Sequence, residues 1–162
     1  MVVASNRAAD GVYADETGPL IVEFLTRLGF EVDSPAVVHD GEPVGRAIRA
    51  AVAAGARVVL TTGGTGLTPT DRTPEVTQAL LDFGVPGIAE AIRAHGLSHG
   101  VPTAMLSRGV AGVVGSCLVI NLPGSKGGVK DGLAVLEPVL VHAVEQVVGS
   151  DHPRADLGPG TP

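Results

Sequence analysis

The segment that most constrains this chain is Arg57-Val-Val-Leu-Thr-Thr62, which runs directly into Gly63-Gly-Thr-Gly66 and, a few polar residues later, into Thr73-Pro74-Glu75. A β-branched, apolar run bounded by glycines reads as a buried strand. Threonine at the N-cap, proline at N1 and an acid in the first turn begin a helix. Strand, glycine loop and helix start are the parts of an α/β unit, and the rest of the chain repeats them. Residues 15–30 place Leu20, Ile21, Phe24, Leu25 and Leu28 on one helical face and stop at Gly29, a glycine suited to C′. Residues 42–54 do the same with Val44, Ile48, Ala51 and Val52, ending at Gly55. A strand interrupted by Pro35 is expected over 32–38, and a short helix over 86–95. Residues 103–121 hold two apolar runs around a glycine-rich turn, a hairpin feeding a strand over 116–121. A long apolar helix over 129–148 must be kinked or divided by Pro138. This alternation predicts an α/β fold with a mainly parallel central sheet. One domain over 1–149 is expected, followed by a disordered tail over 150–162 that has no periodicity. Val2-Val3-Ala4-Ser5 is a short first strand, from which the native start is expected upstream of Met1.

Composition removes several alternatives. A chain of 162 residues buries about 70% of its unfolded surface, enough for a core without staples. Acids outnumber bases by 17 to 11, so the basic stripe a nucleic-acid binder needs is lacking. With three Phe, one Tyr and no Trp, stacking platforms for single strands are also excluded. The single cysteine, Cys117, forbids an internal disulfide and suits a reducing compartment. Neither a signal peptide nor an apolar run near ~20 residues is visible, so a cytoplasmic protein without membrane attachment is expected.

Two segments share the order strand, glycine loop, helix start: 60–73 and 120–129. Ligands of open α/β sheets bind at the carboxyl ends of strands, where bare N–H groups attract phosphate. Gly64-Thr-Gly66 is followed by Pro69, so the first loop matches neither the P-loop nor the dinucleotide fingerprint. Loop form alone leaves two readings, a phosphate cradle or simple turns. Asp71 bears on that choice, because a carboxylate repels phosphate unless a cation such as Mg²⁺ lies between them. Asp40, just past a predicted strand end, is the candidate second ligand. Without a ligand, Asp40 is a turn residue in His39-Asp40-Gly41, and Asp71 forms an Asx-turn. Cys117 reads as a core residue. His95 and His99 lack an accompanying carboxylate, and Gly96 interrupts their helix, so no zinc site is expected. Ser5-Asn6-Arg7, Ser107-Arg108 and Lys126 also fall at the carboxyl edge, where the arginines either fork onto phosphate or pair with acids.

These residues resemble the molybdenum-cofactor biosynthesis family of molybdopterin adenylyltransferases and MoaB-type proteins. The most specific segment is Thr61-Thr-Gly-Gly-Thr-Gly66 with Asp71 and Thr73-Pro74-Glu75. Support comes from Ser5-Asn-Arg7 with Gly11-Val-Tyr13 and Asp15, from Leu106-Ser-Arg108, and from Asn121-Leu-Pro-Gly-Ser125. The resemblance implies a three-layer α/β/α sandwich, usually trimeric, and Mg²⁺-dependent transfer of AMP from ATP to the terminal phosphate of molybdopterin, with pyrophosphate released. A hand-over to a molybdenum-insertion protein is implied as well. Asp71 and Asp40 would be the catalytic, metal-binding acids. Ser5, Thr62, Gly63, Gly64, Thr65 and Gly66 would bind substrate, with Ser107, Pro123, Gly124 and Ser125 on the pterin side. The alternative is a MoaB-type protein that binds molybdopterin without catalysis. Two departures stand out. Asn6 replaces a common aspartate and so is no metal ligand, while Lys126 replaces a common proline and adds a cation for an acidic substrate.

Overall fold

The structure is a computed structural model and describes residues 1–12 and 14–149; the expected tail over 150–162 and Tyr13 lie outside the described residues. Helices and strands alternate in the order β1 (Val2–Ala4), α1 (Asn6–Ala9), α2 (Gly18–Arg27), β2 (Ala36–Val38), α3 (Glu42–Ala53), β3 (Val58–Thr62), α4 (Thr73–Gln78), β4 (Phe83–Gly84), α5 (Pro86–Ser98), a 3-10 turn (Pro102–Leu106), β5 (Ala111–Val114), β6 (Cys117–Leu122), α6 (Lys126–Leu136) and α7 (Leu140–Val147). They build one six-stranded sheet in the order β2-β1-β3-β6-β5-β4. The first four are parallel, and β5 and β4 extend the edge antiparallel. The expected mainly parallel α/β sheet is therefore present.

Side chains alternate across the sheet, and this makes three layers. Leu118, Ile120 and Leu122 of β6 join Leu60 beneath α2, α5, α6 and α7, while Cys117 and Val119 join Val59 on the opposite face beneath α3 and α4. Period-two alternation in strands buried on both faces places a helix layer on each side. Burial of Cys117 pushes its thiol up to about 11, which suits the core role expected of it.

Several boundaries differ from expectation, each for a local reason. Residues 15–17 do not join α2. Instead Asp15 accepts from the N–H of Thr17 (2.9 Å) and Gly18 (3.0 Å), so it serves as a cap that the helix cannot contain. Pro35 delays β2 until Ala36. Helix α5 passes through Gly96 to Ser98, because that glycine sits against the 3-10 turn; a Cβ there would lie 2.6 Å from Ala104 Cβ. Residues 103–106, expected as strand, form that 3-10 turn. The long final helix starts earlier, at Lys126, and Pro138 divides it into α6 and α7. Thr73 is the first residue of α4 rather than its N-cap, since its hydroxyl is committed to Asp40.

Candidate functional site

Chain order reverses beside β1, which has β2 on one side and β3 on the other. At such a switch point the loops leaving adjacent strand ends part and open a crevice. A cavity of about 680 Å³ lies there, lined by the residues after β1 (Ser5 to Ala8), Asp40 after β2, Thr62 to Gly64 after β3, and Gly124 after β6. Asp71, Lys126 and residues 14–17 complete it. Seven of the expected catalytic and substrate-binding residues meet here: Ser5, Asp40, Thr62, Gly63, Gly64, Asp71 and Gly124.

The floor is built tightly. Gly63 has φ +91°, and a Cβ on it would lie 2.2 Å from the Ala4 carbonyl oxygen. At Gly64, φ is +63° and a Cβ would overlap the Asp40 carboxylate at 2.1 Å. Only glycine meets both demands, because L side chains avoid this backbone region and none fits the space. Thr62 Oγ1 donates to the Pro123 carbonyl (2.7 Å), joining this loop to the one after β6.

The two acids differ in what holds them. Asp40 accepts from its neighbour Gly41 N–H (2.6 Å), from Arg72 N–H (3.0 Å) and from Thr73 Oγ1 (2.9 Å). Its own N–H donates to Asn6 Oδ1 at 3.0 Å, a use for Asn6 that needs no negative charge. Asp71 accepts only from Thr68 N–H, through Oδ2 at 3.1 Å. Its Oδ1 takes no hydrogen bond from the described residues and is available to a cation. Mg²⁺ commonly uses one or two carboxylates and completes its shell with water and phosphate oxygens. The donor set fits that ion best through Asp71, with Asp40 already carrying three protein donors.

Arg108 resolves the choice left open for it. Its Nε donates to the Gly66 carbonyl (2.7 Å), its Nη2 to the Asp71 carbonyl (2.6 Å), and its Nη1 pairs with Glu75. Thr65 is buried and its carbonyl accepts the Arg108 N–H (2.9 Å). The residues Thr65 and Gly66 thus lie behind the cradle rather than in it. Burial acts to raise the Glu75 carboxyl, but hydrogen bonds from its own N–H and from Arg108, with attraction to Arg108 and Arg72, hold it below the ordinary range.

Ser107, Pro123 and Ser125 face elsewhere. They line a separate cavity of about 210 Å³ between α5, the 3-10 turn and the start of α6. The partition is a single stretch of backbone whose residues face alternately. Gly124 and Lys126 line the larger cavity, whereas Pro123, Ser125 and Gly127 line the smaller. Ser125 caps α6 by accepting the Gly128 N–H at 3.1 Å. The Lys126 Nζ lies 3.8 Å from Glu16 Oε2, across the mouth of the larger cavity.

Asn121 has a role that the motif alone did not reveal. Although 98% of its surface is buried in β6, its Nδ2 donates to both Thr61 Oγ1 and Thr77 Oγ1 (each 3.0 Å), and its Oδ1 accepts the Val110 N–H (3.2 Å). It locks β3, α4 and the approach to β5 beneath both loops. The available signal was an amide inside an apolar run. Arg93 and Asp131, which line the smaller cavity, carried no such signal.

A family profile described as "Probable molybdopterin binding domain" matches residues 1–142. A molybdenum cofactor biosynthesis bifunctional protein from Synechococcus elongatus is 42% identical over 154 residues, covering 94% of this chain and 48% of the relative. This chain thus spans about half the length of that relative. A molybdopterin adenylyltransferase from Helicobacter pylori is 34% identical over 151 residues, 91% of this chain and 85% of the relative. The solved structure of a molybdopterin biosynthesis Mog protein from Mycobacterium ulcerans superposes with a TM-score of 0.86 at 55% identity, covering 90% of this chain and 95% of that one. The chain belongs to the molybdopterin-binding family.

Proposed function

We propose that this member of the molybdopterin-binding family transfers AMP from ATP to the terminal phosphate of molybdopterin, using Mg²⁺ and releasing pyrophosphate. The observation that carries the reading is the pair of unequal cavities meeting at one glycine loop. The larger has the volume of a nucleotide site, whereas the smaller falls below the ~300–1,000 Å³ of drug-sized pockets and suits a compact ring system. The curated relative from Helicobacter pylori bears the name of this activity.

Two anions must meet, so the protein's task is positioning and charge compensation. An oxygen of the pterin phosphate attacks the α-phosphorus of ATP, and the bond from that phosphorus to the bridging oxygen of pyrophosphate breaks. No side-chain nucleophile is needed. The backbone of Gly63 and Gly64 orients phosphate groups, and Thr62 fixes that loop against Pro123. Asp71 would hold Mg²⁺, whose charge offsets that developing on the phosphates when bound. Asp40 keeps the Arg72–Thr73 segment in place beside Asp71, and would be the secondary ligand. Lys126 sits where it can leave Glu16 for a phosphate. Residues 1–149 acting as one domain, a homotrimer, a cytoplasmic location and hand-over to a molybdenum-insertion protein belong to the same proposal.

The test is ATP consumption by purified protein with Mg²⁺, with and without molybdopterin, following pyrophosphate and adenylylated pterin together. Formation of both products only when pterin is present is expected. Tight pterin binding with no ATP turnover would replace the enzyme by a MoaB-type binding protein.

A further inference from the structure

The smaller cavity contains two opposite charges that the fold does not pair. Arg93, on α5, uses Nη1 for the carbonyls of Ser107 (3.3 Å) and Gly109 (3.1 Å). These contacts aim the guanidinium at the cavity wall and compensate none of its charge. Asp131, one turn beyond Gly127 and Gly128 on α6, lines the same space. Neither group forms an ion pair with the other or with any further charge among the described residues. The Asp131 carboxylate has no hydrogen-bond partner there either. Both are half-buried. A half-buried acid and a half-buried base left apart across a small cavity fit a ligand that presents donors to one and acceptors to the other.

The geometry points to Arg93 and Asp131 as the specificity-determining pair for a 2-amino-4-oxopyrimidine edge. On such an edge the ring N3–H and the 2-amino group are adjacent donors, matched to a carboxylate that accepts two hydrogen bonds. The neighbouring 4-oxo group is an acceptor for a guanidinium. A pterin carries this edge, and so does guanine. We assign the pterin, because a cavity of about 210 Å³ suits a compact ring system and the functional reading above already supplies a pterin as substrate. The assignment rests on the functional reading above and names which atoms of that substrate are read. An adenine ring, with its donor and acceptor differently ordered, would leave Asp131 facing an acceptor.

The test uses two probes that differ at one position. 6,7-Dimethylpterin has the 2-amino group, and 6,7-dimethyllumazine has an oxygen in its place. Fluorescence titration of the full chain is expected to give a preference for the pterin of roughly tenfold or more, because the lumazine sets an acceptor against the carboxylate. Asp131→Asn removes no contact within the protein and should fold normally. Its amide can donate to the 2-oxo group, so the preference should fall to within about threefold. Arg93→Lys should weaken both probes alike, as the 4-oxo group is common to them. An unchanged ratio in Asp131→Asn would overturn the assignment, as would guanosine monophosphate binding more tightly than the pterin. If the wild-type chain transfers AMP to molybdopterin while Asp131→Asn leaves the ratio unmoved, only this inference fails. If it neither binds pterin nor consumes ATP, the functional reading fails with it.

Discussion

The two glycine-rich loops look alike in sequence, yet their glycines answer different demands. In the loop after β3, the protein itself leaves no room: Gly63 is pressed against the Ala4 carbonyl, Gly64 against Asp40, and a Cβ on Gly66 would lie 2.8 Å from Asp71 Oδ2. After β6 the demands are mixed: a Cβ on Gly124 would lie 3.1 Å from Gly63 Cα and one on Gly128 2.7 Å from Pro123 Cβ. Gly127, in the first turn of α6, lines the smaller cavity, and a Cβ on it would meet nothing within 4 Å. The first loop is a rigid seat assembled around two carboxylates. The second has a permissive point that keeps space open. Similar composition therefore reflects crowding at every glycine of the first segment, and crowding with one open position, Gly127, in the second.

The largest expected effect breaks the chemistry of the first loop alone. Asp71→Asn should lower AMP transfer by roughly 10²–10³-fold, within the range for removing one electrostatic stabiliser. Pterin-probe binding and the circular dichroism spectrum should stay as in wild type; full turnover in the folded variant would make Asp71 a turn residue. Next, Asn121→Leu strikes what both loops share. It strands the Val110 N–H and removes the link between Thr61 and Thr77, so urea denaturation should show a loss of about 2–4 kcal/mol. The same experiment on paired glycines tests the contrast directly. Gly64→Ala should cost about 2 kcal/mol or more from strain and overlap, while Gly127→Ala should stay within about 0.5 kcal/mol of wild type.

How far these contrasts were legible depends on range. The alternating sheet, both glycine loops and the Pro138 break follow from local pattern, because period and turn chemistry act over a few residues. The gathering of Ser5, Asp40, Thr62, Gly64 and Asp71 was also anticipated, since strand ends of a parallel sheet share one edge. The partition into two cavities was not, because it requires the segment after β6 to lie against the loop after β3, where Thr62 Oγ1 meets the Pro123 carbonyl across 61 positions. Pairing with an acid was one of two readings for Arg108, but its partners were not legible, since Gly66, Asp71 and Glu75 lie more than 30 residues away. Arg93 was invisible for a related reason: a base on an amphipathic helix reads as solvated until the neighbouring helix is in place.

Two smaller effects sharpen the comparison. Lys126→Ala should raise the KM for ATP a few-fold at low salt, with the difference shrinking as ionic strength screens an exposed charge. The pterin probe should be indifferent, as Lys126 faces the other cavity. The last prediction concerns acid. The Glu75 carboxyl is held below its ordinary value, so its contribution to stability is present above about 4.5 and is lost as pH falls through the lower folded value. Because Glu75 pairs with the arginine that stitches the first loop, acid should loosen that loop before the second. Glu75→Gln should flatten the stability-against-pH curve below 4.5, which denaturation at a series of pH values would reveal.

Cys117 gives this chain a practical property. Its thiol, buried at the start of β6 and pushed up to about 11, is shielded and almost fully protonated at neutral pH. Alkylating reagents should leave the folded protein untouched and modify it only when β6 opens, so the rate of labelling becomes a clock for global unfolding. It is also the only cysteine in the sequence. A second one placed at the rim of either cavity can therefore take a fluorophore or spin label selectively, with no need to delete the first, and report opening and closing of one compartment while the other is occupied.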